Sequence, residues 1–373
     1  MMNDISHQTR NFFVILCGIA CIIMIFAFLG TRESYGNTYQ RYEVPEPFQI
    51  QNWTARKLVT TSKNTNECSI LHPKLNSCNT LPNYYLYPKR RDDFHSAIIN
   101  FWHIQKAGGS SVEKCLNEMQ RKLKLPPAER GGTSCHKLED IYEKFTYFQN
   151  ISYKPVIQGH KTLGLCDFFH DINPGRICST FSLFREPYER AVSHYYFARE
   201  VARKGNHNKG FQRALNMPVT EWTIKHGSPV WEAFHRIWRT NMTKSDTLKC
   251  EMISENMPEQ KWPSNDTSVN KIIDNLDKHL SFVGLLEDMF TTYQMMEEIY
   301  NLPFVNLCYG KHVNKGSYEN LNATANRELR KRAKRSLMEN EDVRKLFVFD
   351  VLVYEKAKEI FNAQKKVRSG GTL

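Results

Sequence analysis

Ala97-Ile98-Ile99-Asn100-Phe101-Trp102-His103-Ile104-Gln105-Lys106-Ala107-Gly108-Gly109-Ser110-Ser111 is the stretch whose reading decides the fold. Up to Ile104 it is an apolar run of buried-strand length. A glycine turn follows, and beyond it Val112, Cys115, Leu116 and Met119 recur at helical spacing. A strand that passes through glycines into a helix is a natural anion cradle. The first amides of a helix lack intrahelical partners, and glycine lets the backbone approach a ligand closely. Lys106 adds a point charge; Ser110 and Ser111 add hydroxyl donors. A plain glycine turn capped by serine has the same letters, so this segment alone leaves both readings open.

The strand-then-helix pattern recurs downstream. Thr180–Phe184 reads as a strand running into a helix from Pro187 to about Val201, and Leu280–Leu285 precedes a helix at roughly 288–300. Residues 341–362 form an amphipathic helix with Val343, Leu346, Phe347, Val351, Tyr354, Ala357, Ile360 and Phe361 on one side. Such alternation predicts an α/β fold, a doubly wound and mostly parallel sheet flanked by helices. In Phe184-Arg185-Glu186-Pro187-Tyr188-Glu189-Arg190-Ala191-Val192-Ser193-His194-Tyr195-Tyr196-Phe197, Arg185 stands at the carboxyl end of a strand, where ligands gather in such sheets. Pro187 suits the first helical turn, and Ser193 lies about two turns further on. The competing reading pairs Arg185 with Glu189 and puts the Tyr/Phe stripe in the core.

The chain has 373 residues, 51 Lys and Arg against 39 Asp and Glu, and a net charge of +12. Its 41% hydrophobic content excludes a mainly disordered protein. Only Arg10 and Asp4 are charged among the first thirty residues, so the whole excess lies beyond them. Phe12–Gly30 carries no charge and spans about 28 Å as a helix, enough to cross a membrane. It exceeds the apolar region of a cleaved signal peptide and lacks a clean A-x-A site after it. The expected organisation is a cytoplasmic tail (1–11), a transmembrane signal anchor (12–30), a polar lumenal stem (31–92) and one catalytic domain (93–373). Sequons at Asn52, Asn150, Asn241, Asn265 and Asn322 favour a lumenal body. Eight cysteines lie outside the span, with no C-x-x-C pair or zinc spacing, so disulfides are expected and a metal is not. Cys68–Cys78 and Cys166–Cys178 are the local candidates for pairing.

HIQKAGGSS and FREPYERAVSHYYF together resemble the two cofactor motifs of sulfotransferases that use 3′-phosphoadenosine 5′-phosphosulfate (PAPS). More closely, the chain resembles the Golgi heparan sulfate 2-O- and 6-O-sulfotransferases, the first motif leaning to the 6-O form and the second to the 2-O form. The resemblance covers most of the chain and implies a P-loop-like fold. It makes Lys106 the group at the leaving 5′-phosphate, with Ala107, Gly108, Gly109, Ser110 and Ser111 as the loop that holds it. Arg185 and Ser193 take the 3′-phosphate. Glu186 departs from the family's usual Asp. Lysine before the glycines argues against a Walker A site, which needs it after them.

Sulfuryl transfer needs a base for the acceptor hydroxyl. His160, ending the apolar run Pro155-Val156-Ile157-Gln158-Gly159, stands where the family's catalytic histidine is found; an imidazole suits a mildly acidic compartment. His103 and His194 are the runners-up, His194 as an exposed helix residue. His103, Arg199, Arg203 and Lys204 are the candidate acceptor contacts, ranked above the basic run Arg327–Arg335, whose ordinary reading is a solvated helix face. The implied protein is a type II Golgi membrane enzyme acting on an acidic polysaccharide, without metal and without nucleic acid; homo-oligomerisation stays open. An inactive glycan-binding protein on the same fold, a sulfotransferase for another acceptor and a phosphoryl-transfer P-loop enzyme are the alternatives.

Overall fold

The computed structural model describes residues 80–95, 97–123, 129–131, 156–160, 166, 177–228, 230, 234, 236–242, 248–254, 273–310 and 323–371. All of them fall in one unit of the chain, Asn66–Leu373. The expected anchor 12–30, most of the stem, Cys68, Cys78 and the sequons at Asn52, Asn150, Asn265 and Asn322 lie outside the described residues. Among the described residues no helix is long and apolar enough to cross a membrane.

The fold is mixed α/β, a small parallel sheet flanked by helices. β1 (Ile98–His103) is buried along its whole length, as a central strand covered on both faces must be. The glycine turn leads into α1 (Gly109–Leu123), whose Val112, Cys115, Leu116 and Met119 are all buried. Then come β2 (Glu129–Gly131), β3 (Val156–His160), β4 (Cys178–Phe184), α2 (Pro187–Arg203), α3 (Lys209–Asn216) and α4 (Val219–His226). β5 (Arg236–Met242) and β6 (Leu248–Ser254) form a separate antiparallel pair. β7 (Phe282–Leu285), α5 (Met289–Tyr300), α6 (Phe304–Cys308), α7 (Ala323–Glu339), α8 (Glu341–Leu346) and α9 (Val348–Arg368) complete the chain.

The sheet order is β2-β3-β1-β4-β7, and every pairing is parallel. From β1 the chain runs out to β2 and β3 on one side, then crosses to β4 on the other. The order therefore reverses between β1 and β4, and the carboxyl ends of those strands flank the crevice where such sheets bind ligands. The edge strand β7 is closed by a side chain. Gln364 of α9 donates to the Val283 carbonyl at 2.7 Å and accepts from the Val283 N–H at 3.1 Å, as a further strand would. Asn83 donates to the same Gln364 oxygen at 2.6 Å. The globular unit thus takes in residues 80–92, which composition grouped with the stem; the Leu81 and Tyr84 amides bond to the Cys178 and Ser281 carbonyls.

Two further features correct the sequence reading. The helix expected over 341–362 is two helices, because Phe347 (φ −98°, ψ 6°) breaks it while its N–H still bonds to the Val343 and Arg344 carbonyls. His194 is buried, not exposed: its ring packs edge-on against Trp222 and His226, at 5.2 and 4.5 Å between centroids. α2 and α9 are joined by a buried ion pair, Arg190 Nη2 to Asp350 Oδ1 at 2.7 Å, and Ser228 donates to the other Asp350 oxygen. Disulfides link Cys166 to Cys178, as spacing suggested, and Cys115 of α1 to Cys308 of α6, which spacing did not.

Candidate functional site

The loop after β1 carries the backbone conformation that its glycines announce. Gly108 has φ +94°, open to glycine at no cost. Lys106 has φ +64°, a left-handed conformation that costs a side-chain-bearing residue roughly 1 kcal/mol. Ser111 and Val112 donate to the Gly108 carbonyl at 3.0 and 3.3 Å, so helical bonding begins there. The residues ahead of Ser111, Gly109 and Ser110, supply the first-turn amides of a fifteen-residue helix.

Across the β1/β4 crevice, Arg185 Nη1 donates to the Lys106 carbonyl at 3.2 Å. The two motifs, whose Lys106 and Arg185 are 79 residues apart, are therefore in contact. The Lys106 ammonium lies 4.0 Å from the centre of the Phe197 ring on α2. Burial pushes the Lys106 amine down to about 8, and the positive charges of Arg185 and Arg330 push the same way. Phe197, which the sequence placed in a core stripe, is half-buried and forms a wall of the site; Tyr195 and Tyr196 are core.

Pro187 opens α2, and Glu186 caps it: its carboxylate accepts from the Glu189 N–H at 2.7 Å and the Tyr188 N–H at 3.3 Å. A glutamate can thus do the capping that an aspartate would do in the resembled motif. Ser193 is buried six residues into α2, roughly 9 Å along its axis from Pro187. Arg199 donates to the Tyr195 hydroxyl at 2.8 Å, and Lys204 pairs with Glu200 at 2.6 Å on the exposed surface, where Arg203 also stands.

His103 is buried at the end of β1, with Nδ1 3.0 Å from Glu113 of α1. Its ring fills the space in front of Gly109, where a Cβ would collide with it. In the β1/β3 register His103 is the partner of His160, so the backbone sets both histidines side by side at the carboxyl edge of the sheet. Gly109→Ala should therefore lower stability by about 1–3 kcal/mol through overpacking. A glycine-to-alanine change in an unhindered helix has the opposite sign. Thermal unfolding decides, and adding His103→Ala should restore most of the loss. Undiminished stability in the single variant would contradict this packing.

The sequence ranked the basic run last, yet α7 brings Arg330 and Lys334 onto the start of α2. Arg330 lies 3.9 Å from Glu189, and Lys334 lies 3.1 Å from Glu186 and 3.3 Å from Glu189. The signal was the run itself, but no periodicity indicates which of its side chains faces the site. Among the described residues no group of three or more His, Cys, Asp or Glu could hold a metal ion. The loop's donors, the Lys106 ammonium, the Arg185 guanidinium and the first-turn amides of α1, are a set that fits phosphate or sulfate, with Glu186 and Glu189 close by. No family model matches the chain, and no curated protein matches it.

Proposed function

We propose that the chain is a PAPS-dependent glycan sulfotransferase, a P-loop-like doubly wound domain on a stem and a type II signal anchor in the Golgi membrane. The observation that carries this reading is the contact of Arg185 with the Lys106 loop at the β1/β4 switch point. It juxtaposes two cationic subsites, as a nucleotide with phosphates at both 3′ and 5′ positions requires. Lys106, the amides of Gly108 to Ser110 and the hydroxyls of Ser110 and Ser111 take the 5′ end, and Arg185 with Ser193 takes the 3′-phosphate. The surplus of positive charge favours an acidic glycosaminoglycan as acceptor.

In the reaction His160 accepts the proton of the acceptor hydroxyl as its oxygen bonds to sulfur. The bond between sulfur and the phosphate oxygen breaks, and its electron pair leaves with adenosine 3′,5′-bisphosphate. The Lys106 ammonium stabilises that departing charge. The direct test assays the protein with labelled PAPS against a panel of desulfated polysaccharides, followed by disaccharide analysis. Absence of transfer to every acceptor, together with no binding of adenosine 3′,5′-bisphosphate, would reject the proposal.

The lowered proton affinity of Lys106 gives this reading a pH signature. The amine is charged below about 8 and neutral above it, whereas a bound phosphate favours the charged form. Affinity for adenosine 3′,5′-bisphosphate should be nearly level from pH 7 to 7.5 and fall by up to about tenfold per pH unit above 8. Lys106→Arg, charged throughout, should abolish the decline. Calorimetric titration across pH 7–9.5 measures it, and a level wild-type profile would remove Lys106 from the phosphate.

A further inference from the structure

Resting on that reading of the site, we infer that Phe197 is a positioning residue for Lys106. Its ring holds the ammonium in the binding conformation in place of a counter-ion, and leaves the N–H donors of the amine to the phosphate.

Both ends of Lys106 are fixed. Its carbonyl accepts from Arg185 Nη1 at 3.2 Å. At the other end the ammonium lies 4.0 Å from the centre of the Phe197 ring, close for a cation over an aromatic face. The charged groups that act on it are Arg185 at the end of β4, Arg330 of α7 and Glu200 of α2. Glu200 is the acid among them, and its carboxylate is paired with Lys204 at 2.6 Å. Among the described residues no carboxylate stands in ion-pair contact with the Lys106 ammonium. A ring occupies the place where a counter-ion would stand.

That choice of neighbour has a chemical consequence. A carboxylate would accept from the ammonium N–H groups and would have to be displaced before a phosphate entered. A ring attracts the charge through its quadrupole and offers no lone pair to compete with the ligand. It also favours the charged form of the amine, against the burial that pushes it down to about 8. An unheld lysine side chain samples many rotamers, and the fraction in the binding conformation scales the apparent affinity directly.

The ring is itself braced. Phe211 of α3 packs edge-on against it, with 6.1 Å between centroids and 84° between planes. Ser193 stands four residues before Phe197 on α2, so the two share a face one turn apart. One helix thus carries the serine proposed for the 3′-phosphate and the seat of the lysine proposed for the 5′ end.

The test titrates the full-length chain with inorganic pyrophosphate and, separately, with adenosine 3′,5′-bisphosphate, from pH 7 to 9.5. Phe197→Leu should weaken both about three- to fivefold at pH 7, and move the onset of the alkaline decline down by about half a pH unit. Replacing Phe197 by its mono-, di- and trifluorinated analogues keeps the shape of the ring while draining electron density from its face. Affinity should fall stepwise along that series, the trifluorinated ring approaching the leucine variant. Phe290→Leu, which alters an exposed phenylalanine packed on Tyr309, should change neither affinity. Circular dichroism establishes that each variant is folded; if the leucine variant is not, the fluorinated series carries the test. Wild-type affinity and pH profile throughout the fluorinated series overturn the inference, even where leucine weakens binding, because a ring that only fills space is indifferent to that change. Wild-type protein that binds pyrophosphate but not the nucleotide sinks the sulfotransferase reading alone, and the same variants then judge this inference on pyrophosphate. Wild-type protein that binds neither rejects both.

Discussion

Lys106→Ala should lower kcat for sulfuryl transfer by about 10²–10³-fold, and His160→Ala by about 10²–10⁴-fold. The two losses have different causes. On the proposed mechanism, lysine would stabilise charge that develops on the departing phosphate, an interaction stronger in the transition state than in the ground state. If histidine supplies the base, as proposed, its loss should also remove the acidic limb of the pH–rate profile. Arg185→Ala should act chiefly on PAPS binding, since the proposed mechanism puts it on a phosphate remote from the breaking bond. Steady-state rates with labelled PAPS separate these cases. Turnover within threefold of wild type in His160→Ala would remove it as the base, and the same result in Lys106→Ala would remove the leaving-group role.

The second large effect is on stability. Asp350→Ala should destabilise the domain by about 3–5 kcal/mol, because it strands a buried charge. Arg190 is 1% exposed, and among the described residues its Nε and Nη1 have no hydrogen-bond partner, so Asp350 is the acceptor that makes its burial tolerable. Ser228 would lose its bond to Asp350 as well. Burial pushes the Asp350 carboxyl up, against the pull of Arg190, which shows how fully this pair is withdrawn from water. Thermal unfolding should shift down by about 5–15 °C. The double variant Arg190→Met, Asp350→Leu should recover most of the loss, since apolar side chains of similar bulk need no partner. A double variant no more stable than the single one would contradict the argument.

The strand-to-helix passages around Lys106 and Arg185 were legible because local periodicity and turn chemistry agree there. Each is decided by residues within one turn of one another. The alignment of Arg185 on the Lys106 carbonyl follows from strand order, which the alternation of elements suggested without fixing the register. Arg330 was not legible as a neighbour of Glu189. It lies in a run where many side chains are basic, and only the packing of α7 on α2 selects which of them meet that helix. Phe347 escaped notice for a related reason: the break preserves which face is buried, so the apolar pattern runs through it unmarked. His194 was misread as exposed because a polar residue in a helix usually faces water, whereas here Trp222 and His226 enclose it. The Cys115–Cys308 bond was hidden by arithmetic, since eight cysteines allow 105 pairings and chain separation favours none of the distant ones.

That bond has a consequence for how the chain is made. Cys115 emerges 193 residues ahead of its partner. At ordinary translation speeds of about 5–20 residues per second its thiol waits roughly 10–40 s, while Cys135, Cys166, Cys178 and Cys250 appear before Cys308. The Cys166–Cys178 loop can close early, withdrawing two competitors. The long bond can form only after Cys308 has emerged, with α7, α8 and α9 still to follow. The anion loop leads directly into the helix that bears Cys115. The helix that follows the glycine loop is thus tethered only once Cys308 has appeared, and a nascent chain stopped before it would display that loop without the tether that holds its helix in place.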